Sequence, residues 1–282
     1  MRKLTPPTYD ARSTFELCAD NVGNKALSTK LHTVAAEIES AEKLYKEQGE
    51  KASLFSIPEA DMVGGVVTLA EMKALYKNTL SHQESDARYI YDAIKAAPKS
   101  GICPLCGQRV VATLDHYLAQ SRHAAYTVTP LNLIPSCFDC NWSKRAHQPS
   151  RASEQTLHPY FDDVDQDVWL VANLLASDPP ALTFSARPPA SWDDVKRERL
   201  TTHFRTLKLG ALYSAHSAEE LRGMHENYRR VADREGAQGL RTYLQEHAEG
   251  RRKTAINSWQ AAMYEALGAS DWFCQEGYNL VQ

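Results

Sequence analysis

The stretch CPLCGQRVVATLDHYLAQS, residues 103–121, sets two cysteines three apart and, nine residues after the second, an aspartate followed at once by a histidine. A second pair lies in SCFDCNWSK, residues 136–144, where Cys137 and Cys140 are trailed directly by Asn141. Each CxxC brings two sulfurs onto one tight turn, so two such turns separated by 30 residues can close a tetrahedral shell of four thiolates. No position is left open in that shell. A Zn²⁺ held by Cys103, Cys106, Cys137 and Cys140 is therefore structural, stitching the first turn to a helix start at the second. Six cysteines in a chain of 282 residues without an export signal point to metal or free thiols rather than disulfides, and Cys18 and Cys274 read as inert buried thiols.

Around these pairs the punctuation is informative. Gly101, Pro104 and Gly107 break the chain, and Arg109-Val-Val-Ala-Thr-Leu predicts a short strand running into Asp115-His116. After Asn132-Leu-Ile-Pro a helix is expected to begin near the second pair and to carry Trp142 and Lys144. The order is hairpin, loop, helix. Adjacent strand residues point to opposite faces, so Asp115 and His116 reach one group only where the strand bends or ends.

The flanks read as helical. Apolar residues from Leu27 to Tyr45 recur at helical intervals, predicting one amphipathic helix over 26–48 that Gly49 ends. Thr68-Leu-Ala-Glu71 is a capping box opening a helix to about Leu80, and a third helix over 84–97 is stopped by Pro98. A turn-rich stretch follows the cysteine module. Helices are then expected over 192–208, 217–234, 237–249 and 254–267, the first with Asp193 and Asp194 in its opening turn, where acids suit the helix dipole. The expected fold class is mainly α with one small β-containing module, α+β overall, divided as a helical region 1–99, the module 100–162 and a helical region 163–282.

Composition bounds the partners. With 43% apolar and 24% charged residues the chain is an ordinary globular protein. No run of about 18 apolar residues suggests a membrane span, and Met1 to Asp20 carries no apolar signal core, so a cytoplasmic location is expected. A net charge of −3 excludes coating of nucleic acid by bulk electrostatics. Charge is unevenly placed, however: residues 148–194 hold 2 basic and 8 acidic side chains, and 195–253 hold 13 and 8, which could set a cationic face beside the module.

Taken jointly, CPLCG (103–107), LDHYLAQS (114–121), NLIPSC (132–137), CFDCNWSK (137–144) and LHPYFD (157–162) resemble the HNH, or ββα-metal, endonuclease family in its four-cysteine branch. The resemblance covers about 60 residues and implies metal-dependent hydrolysis of DNA phosphodiester bonds. It makes His116 the general base, since a near-neutral imidazole can take a proton from water. It makes Asp115 and Asn141 ligands of a catalytic Mg²⁺ or Mn²⁺, because both offer hard oxygens; Asn141 stands where many members carry a final histidine. Asn132 matches the residue that orients the catalytic histidine, a task a backbone carbonyl can share. Lys144 and Arg145, one turn past Asn141, are expected to clamp phosphate. Trp142 and His158 are expected to pack, and His123 and His147 to be loop histidines without a catalytic role.

Members with helical flanks around such a module and a trailing LHPYFD resemble effectors of bacterial anti-phage defence, encoded beside an ATPase of the AAA or ABC type. Here Ala119-Gln120 replaces a frequent Pro-Lys, removing a basic residue near the phosphate. Two other readings use the same residues: cleavage of RNA, such as transfer RNA, and a non-catalytic zinc-dependent adaptor that binds nucleic acid or protein.

Overall fold

The computed structural model describes residues 1–144 and 148–281. The chain forms two compact units, Met1–Asp163 and Val164–Gln282. In the first, short polar side chains decide where helices start. Helix α1 (Ala11–Asp20) begins at Asp10, whose carboxylate accepts from the Ser13 amide at 2.8 Å. Helix α2 (Lys25–His32) begins at Asn24, which caps the Ala26 and Leu27 amides. Helix α3 (Ala35–Glu50) follows it after a break that the sequence reading did not place. Thr33 Oγ1 donates to the Lys30 carbonyl at 2.7 Å, competing with the helical ladder, and the adjoining β-branched Val34 leaves helical geometry to be fully buried.

Strands β1 (Met62–Val63) and β2 (Val67–Thr68) pair antiparallel across a turn in which Gly64 and Gly65 take positive φ. The predicted capping box then opens helix α4 (Leu69–Leu75): Thr68 Oγ1 accepts from the Glu71 amide, and the Glu71 carboxylate accepts from the Thr68 amide at 2.8 Å. A wider π turn, Tyr76–Leu80, extends it, and helix α5 (Arg88–Ala96) ends ahead of Pro98.

Strand β3 (Thr113–His116) pairs antiparallel with β4 (Leu133–Ser136), with Asp115 opposite Ile134 and His116 opposite Leu133. Helix α6 (Phe138–Lys144) starts at the second cysteine pair, as its spacing predicts. The strand begins later than the expected Arg109. Residues 109–111 instead fold back on the first pair, the Cys103 amide donating to the Arg109 carbonyl and the Val111 amide to that of Gly101, each at 2.8 Å. Leu114, Ala124, Val128 and Leu133 belong to the same buried cluster as Phe15, Ile38, Met72 and Ile90, so the hairpin and the preceding helices share one core.

The second unit adds a hairpin to the helices expected there. Strands β5 (Leu170–Leu175) and β6 (Ala181–Ala186) pair antiparallel, with Leu182 and Phe184 buried between exposed neighbours. Helix α7 (Asp194–Thr206) is capped by Asp193. The helical span α8 (Leu209–Thr254) is interrupted at Gly236, which takes φ +67° and ψ −172°. Arg251 thereby returns to within 3.9 Å of Glu220, which makes the span two antiparallel helices, matching the break predicted between 234 and 237. Helices α9 (Trp259–Gly268) and α10 (Asp271–Gln275) begin at the serine caps Ser258 and Ser270. Tyr228, Leu240, Leu244, Met263 and Phe273 are buried within this unit. The fold is mainly α with small two-stranded sheets. Among the described residues no helix is long and apolar enough to cross a membrane.

Candidate active site

The four paired cysteines meet. Cys103, Cys106, Cys137 and Cys140 are buried, with their sulfurs all within 4.8 Å of one another. Zn–S bonds near 2.3 Å imply tetrahedral S···S separations of about 3.8 Å, and Cys106 and Cys137 lie 4.0 Å apart. Gly107 at φ +67° makes the first turn, and amides of Arg109 and Cys140 donate to the sulfurs of Cys106 and Cys137. Crowding divides the thiols: bonds from Cys103, Cys137 and Cys140 hold Cys106 well below the usual thiol range, while Cys103 and Cys140 are pushed well above it. Four sulfurs so placed fit a metal ion. Zinc is the ion whose geometry and ligand preference they match. Arg109 and Asp139, paired at 2.7 Å, tie the first turn to α6.

His116 is the last residue of β3, so the condition for Asp115 and His116 to share a site is met. Its Nε2 lies 2.8 Å from the Thr127 carbonyl. A carbonyl only accepts, so Nε2 carries the proton and Nδ1 keeps a lone pair. Burial pushes the imidazole below the usual histidine range, against the opposing pull of that carbonyl and of Asp115. The Tyr76 ring packs edge-on against it, with centroids 4.7 Å apart.

Asp115, His116 and Asn141 line one cavity of about 360 Å³, together with Lys144. The Asp115 carboxylate is 8% exposed, and its Oδ2 sits 2.9 Å from the Lys144 ammonium. Asp115 and Asn141 line the same space, and both side chains carry hard oxygen donors. Lys144, expected to clamp phosphate, is turned into the module. Its ammonium also donates to the His116 and Tyr117 carbonyls at 2.8 and 3.0 Å, so two backbone carbonyls and the Asp115 charge hold it inside the module. Arg145 and His147 lie outside the described residues.

Asn132 also differs from expectation. It is fully buried and makes four hydrogen bonds, none to His116 among the described residues. Its Oδ1 accepts from the Leu118 amide and the Tyr45 hydroxyl, and its Nδ2 donates to the carbonyls of Leu118 and Tyr126. The chain of donors is consistent. The Tyr160 amide donates to His158 Nδ1, leaving His158 Nε2 to donate to the Tyr45 hydroxyl, which donates in turn to Asn132. Asn132 thus fixes the loop between β3 and β4, and Thr127, next to Tyr126, supplies the carbonyl that orients His116. His158 packs as expected, against Tyr117 and Phe161. Trp142 does not: it is 66% exposed. Cys18 and Cys274 are buried free thiols, and burial pushes Cys18 up to about 11.

Several cavity residues carry no local sequence signal. Leu54, Phe55, Ile57 and Lys73 reach it from the N-terminal helical region, and Gln120 and His123 from the loop after β3. A chain from Escherichia phage lambda, "Protein ea31", is 26% identical over 294 residues, spanning 97% of this chain and 99% of that one. The likeness therefore runs through both units. No family model matches the chain, and no solved structure matches it.

Proposed function

We propose that this cavity is the active site of a metal-dependent HNH endonuclease that hydrolyses DNA phosphodiester bonds. One observation carries the reading: a histidine at the end of β3 has Nε2 held by a backbone carbonyl and Nδ1 left as an acceptor, in the same cavity as Asp115 and Asn141. His116 Nδ1 takes a proton from water, the water oxygen attacks phosphorus, and the 3′ oxygen leaves. Asp115 and Asn141 would hold Mg²⁺ or Mn²⁺, which when bound neutralises charge on the phosphate and the leaving oxygen. Thr127 fixes the imidazole tautomer, and Lys144 holds the Asp115 carboxylate and the turn after β3 in place. The cysteine cage, loaded with zinc, is scaffold, joining the turn at 103–107 to the start of α6.

The motif resemblance extends the proposal to an anti-phage effector working with an AAA- or ABC-type ATPase. Incubating zinc-loaded protein with plasmid or with total RNA, with and without Mg²⁺, tests the nuclease reading. Mg²⁺-dependent plasmid cleavage supports it, cleavage of RNA alone reassigns the substrate, and inertness toward both leaves the adaptor reading.

A further inference from the structure

The charged side chains described along the cavity wall do not cancel. Its lining carries two carboxylates, Glu59 and Asp115, and three cations, Lys73, Arg122 and Lys144. Arg122 pairs with Glu59 at 2.6 Å and Lys144 with Asp115 at 2.9 Å. Lys73 is left over. It is exposed, and among the described residues its ammonium has no ion-pair or hydrogen-bond partner. The position of Lys73 is nevertheless fixed. It lies in α4, where Met72 and Leu75 are buried in the cluster that also takes Leu114 of β3, and the Thr68–Glu71 capping box sets the start of the same helix. Tyr76, three residues on, packs edge-on against the His116 ring with centroids 4.7 Å apart. Residues three apart are neighbours on a helix face, so Lys73 lies beside the side chain that touches His116.

An uncancelled cation in a cavity suits an anionic substrate. A phosphodiester is negatively charged, and charge builds on its oxygens as water attacks, where a donor already in place is most effective. Lys144 is held by Asp115 and by the His116 and Tyr117 carbonyls, which leaves Lys73 as the described cation open to a phosphate. A lysine in a last helical turn also suits the helix dipole, but any position on that turn would serve the dipole. Lining the cavity is a separate property. We propose that Lys73 donates to a non-bridging oxygen of the DNA phosphate held at His116, so that the N-terminal helical region, outside the cysteine module, supplies the phosphate contact of the site. That this phosphate is the one cleaved rests on the nuclease reading above; the contact itself requires only that DNA enters the cavity.

Two assays on full-length, zinc-loaded protein test the contact. In the first, His116→Ala protein binds a fluorescein-labelled DNA duplex, followed by anisotropy across a salt series. Adding Lys73→Ala should reduce the slope of log affinity against log salt by about 1, and Lys73→Arg should restore it. In the second, with His116 present and Mg²⁺ added, Lys73→Ala should lower kcat for plasmid cleavage about 100-fold, the low end for removing one preorganised donor. Lys77→Ala is the control, exposed on the next turn but not lining the cavity, and it should keep the wild-type kcat. Because both lysines are exposed, zinc content and circular dichroism should match wild type in every variant. An unchanged salt slope in Lys73→Ala, an equal loss of turnover in Lys77→Ala, or no DNA binding at all overturns the contact. A reduced slope in a protein that cleaves nothing keeps the contact and removes the nuclease. Undiminished cleavage by Lys73→Ala keeps the nuclease and removes the contact.

Discussion

Replacing Asn132 by alanine removes the centre of the buried network that positions the loop between β3 and β4. Four hydrogen bonds are lost at once, two accepted and two donated, at a side chain with no exposed surface. At a net worth of about 1 kcal/mol per bond the loss is about 4 kcal/mol, and it grows if water does not enter to satisfy the Leu118 and Tyr126 groups left behind. Set against a typical stability of about 5–15 kcal/mol, that takes a large share of the first unit's margin. Because the chain has two units, a single melting curve would mix them. Hydrogen exchange at the slow amides of α3 and β4 reads the first unit alone, and these should lose protection by about 4 kcal/mol while the slow amides of α9 are unchanged. The Thr127 carbonyl moves with the loop, so cleavage should fall with protection. A loss below about 1 kcal/mol would refute the reasoning, for it would mean the network is already satisfied by water.

Three further outcomes follow from the same geometry. Lys144→Met should cost the first unit about 3 kcal/mol in exchange protection at the slow amides of α3 and β4, since it strands a carboxylate and two carbonyls where both side chains of the ion pair are about 10% exposed; a stability gain would show the ammonium to be the costlier group. Gly49→Ala should destabilise by about 1–3 kcal/mol despite alanine's better helix propensity, because the Phe161 ring occupies the space of the added methyl. Cys137→Ser should drop bound zinc from one ion per chain and unfold the turns at 103–107 and 137–140, seen as lost exchange protection at the Cys103 and Cys140 amides. Full zinc retention in that variant would show that three sulfurs suffice.

What could be read from residues alone was whatever depends on neighbours in sequence. The Thr68–Glu71 capping box, the Gly236 break and the convergence of the two CxxC turns are local signals, and each is where its spacing placed it. The partners of Asn132 are not local: Tyr45 lies 87 residues away, and nothing near Asn132 announces that its amide is used up before it can reach His116. Lys144 read as a phosphate clamp one turn past Asn141, but α6 is stitched down at its start, so its last turn sits over the end of β3 and the ammonium meets carbonyls. The β5–β6 hairpin did have a signal. Ala181-Leu-Thr-Phe-Ser alternates with period two, between the turn-forming prolines at 179–180 and 188–189.

The most direct measurement compares wild type and His116→Ala, matched for zinc content, in a Mg²⁺-dependent DNA cleavage assay. His116 lies outside the cysteine cage, so the variant should keep its zinc and its circular dichroism while cleavage disappears. Undiminished cleavage by a folded, zinc-replete His116→Ala protein would contradict the account, since another group would then be drawing the proton from water.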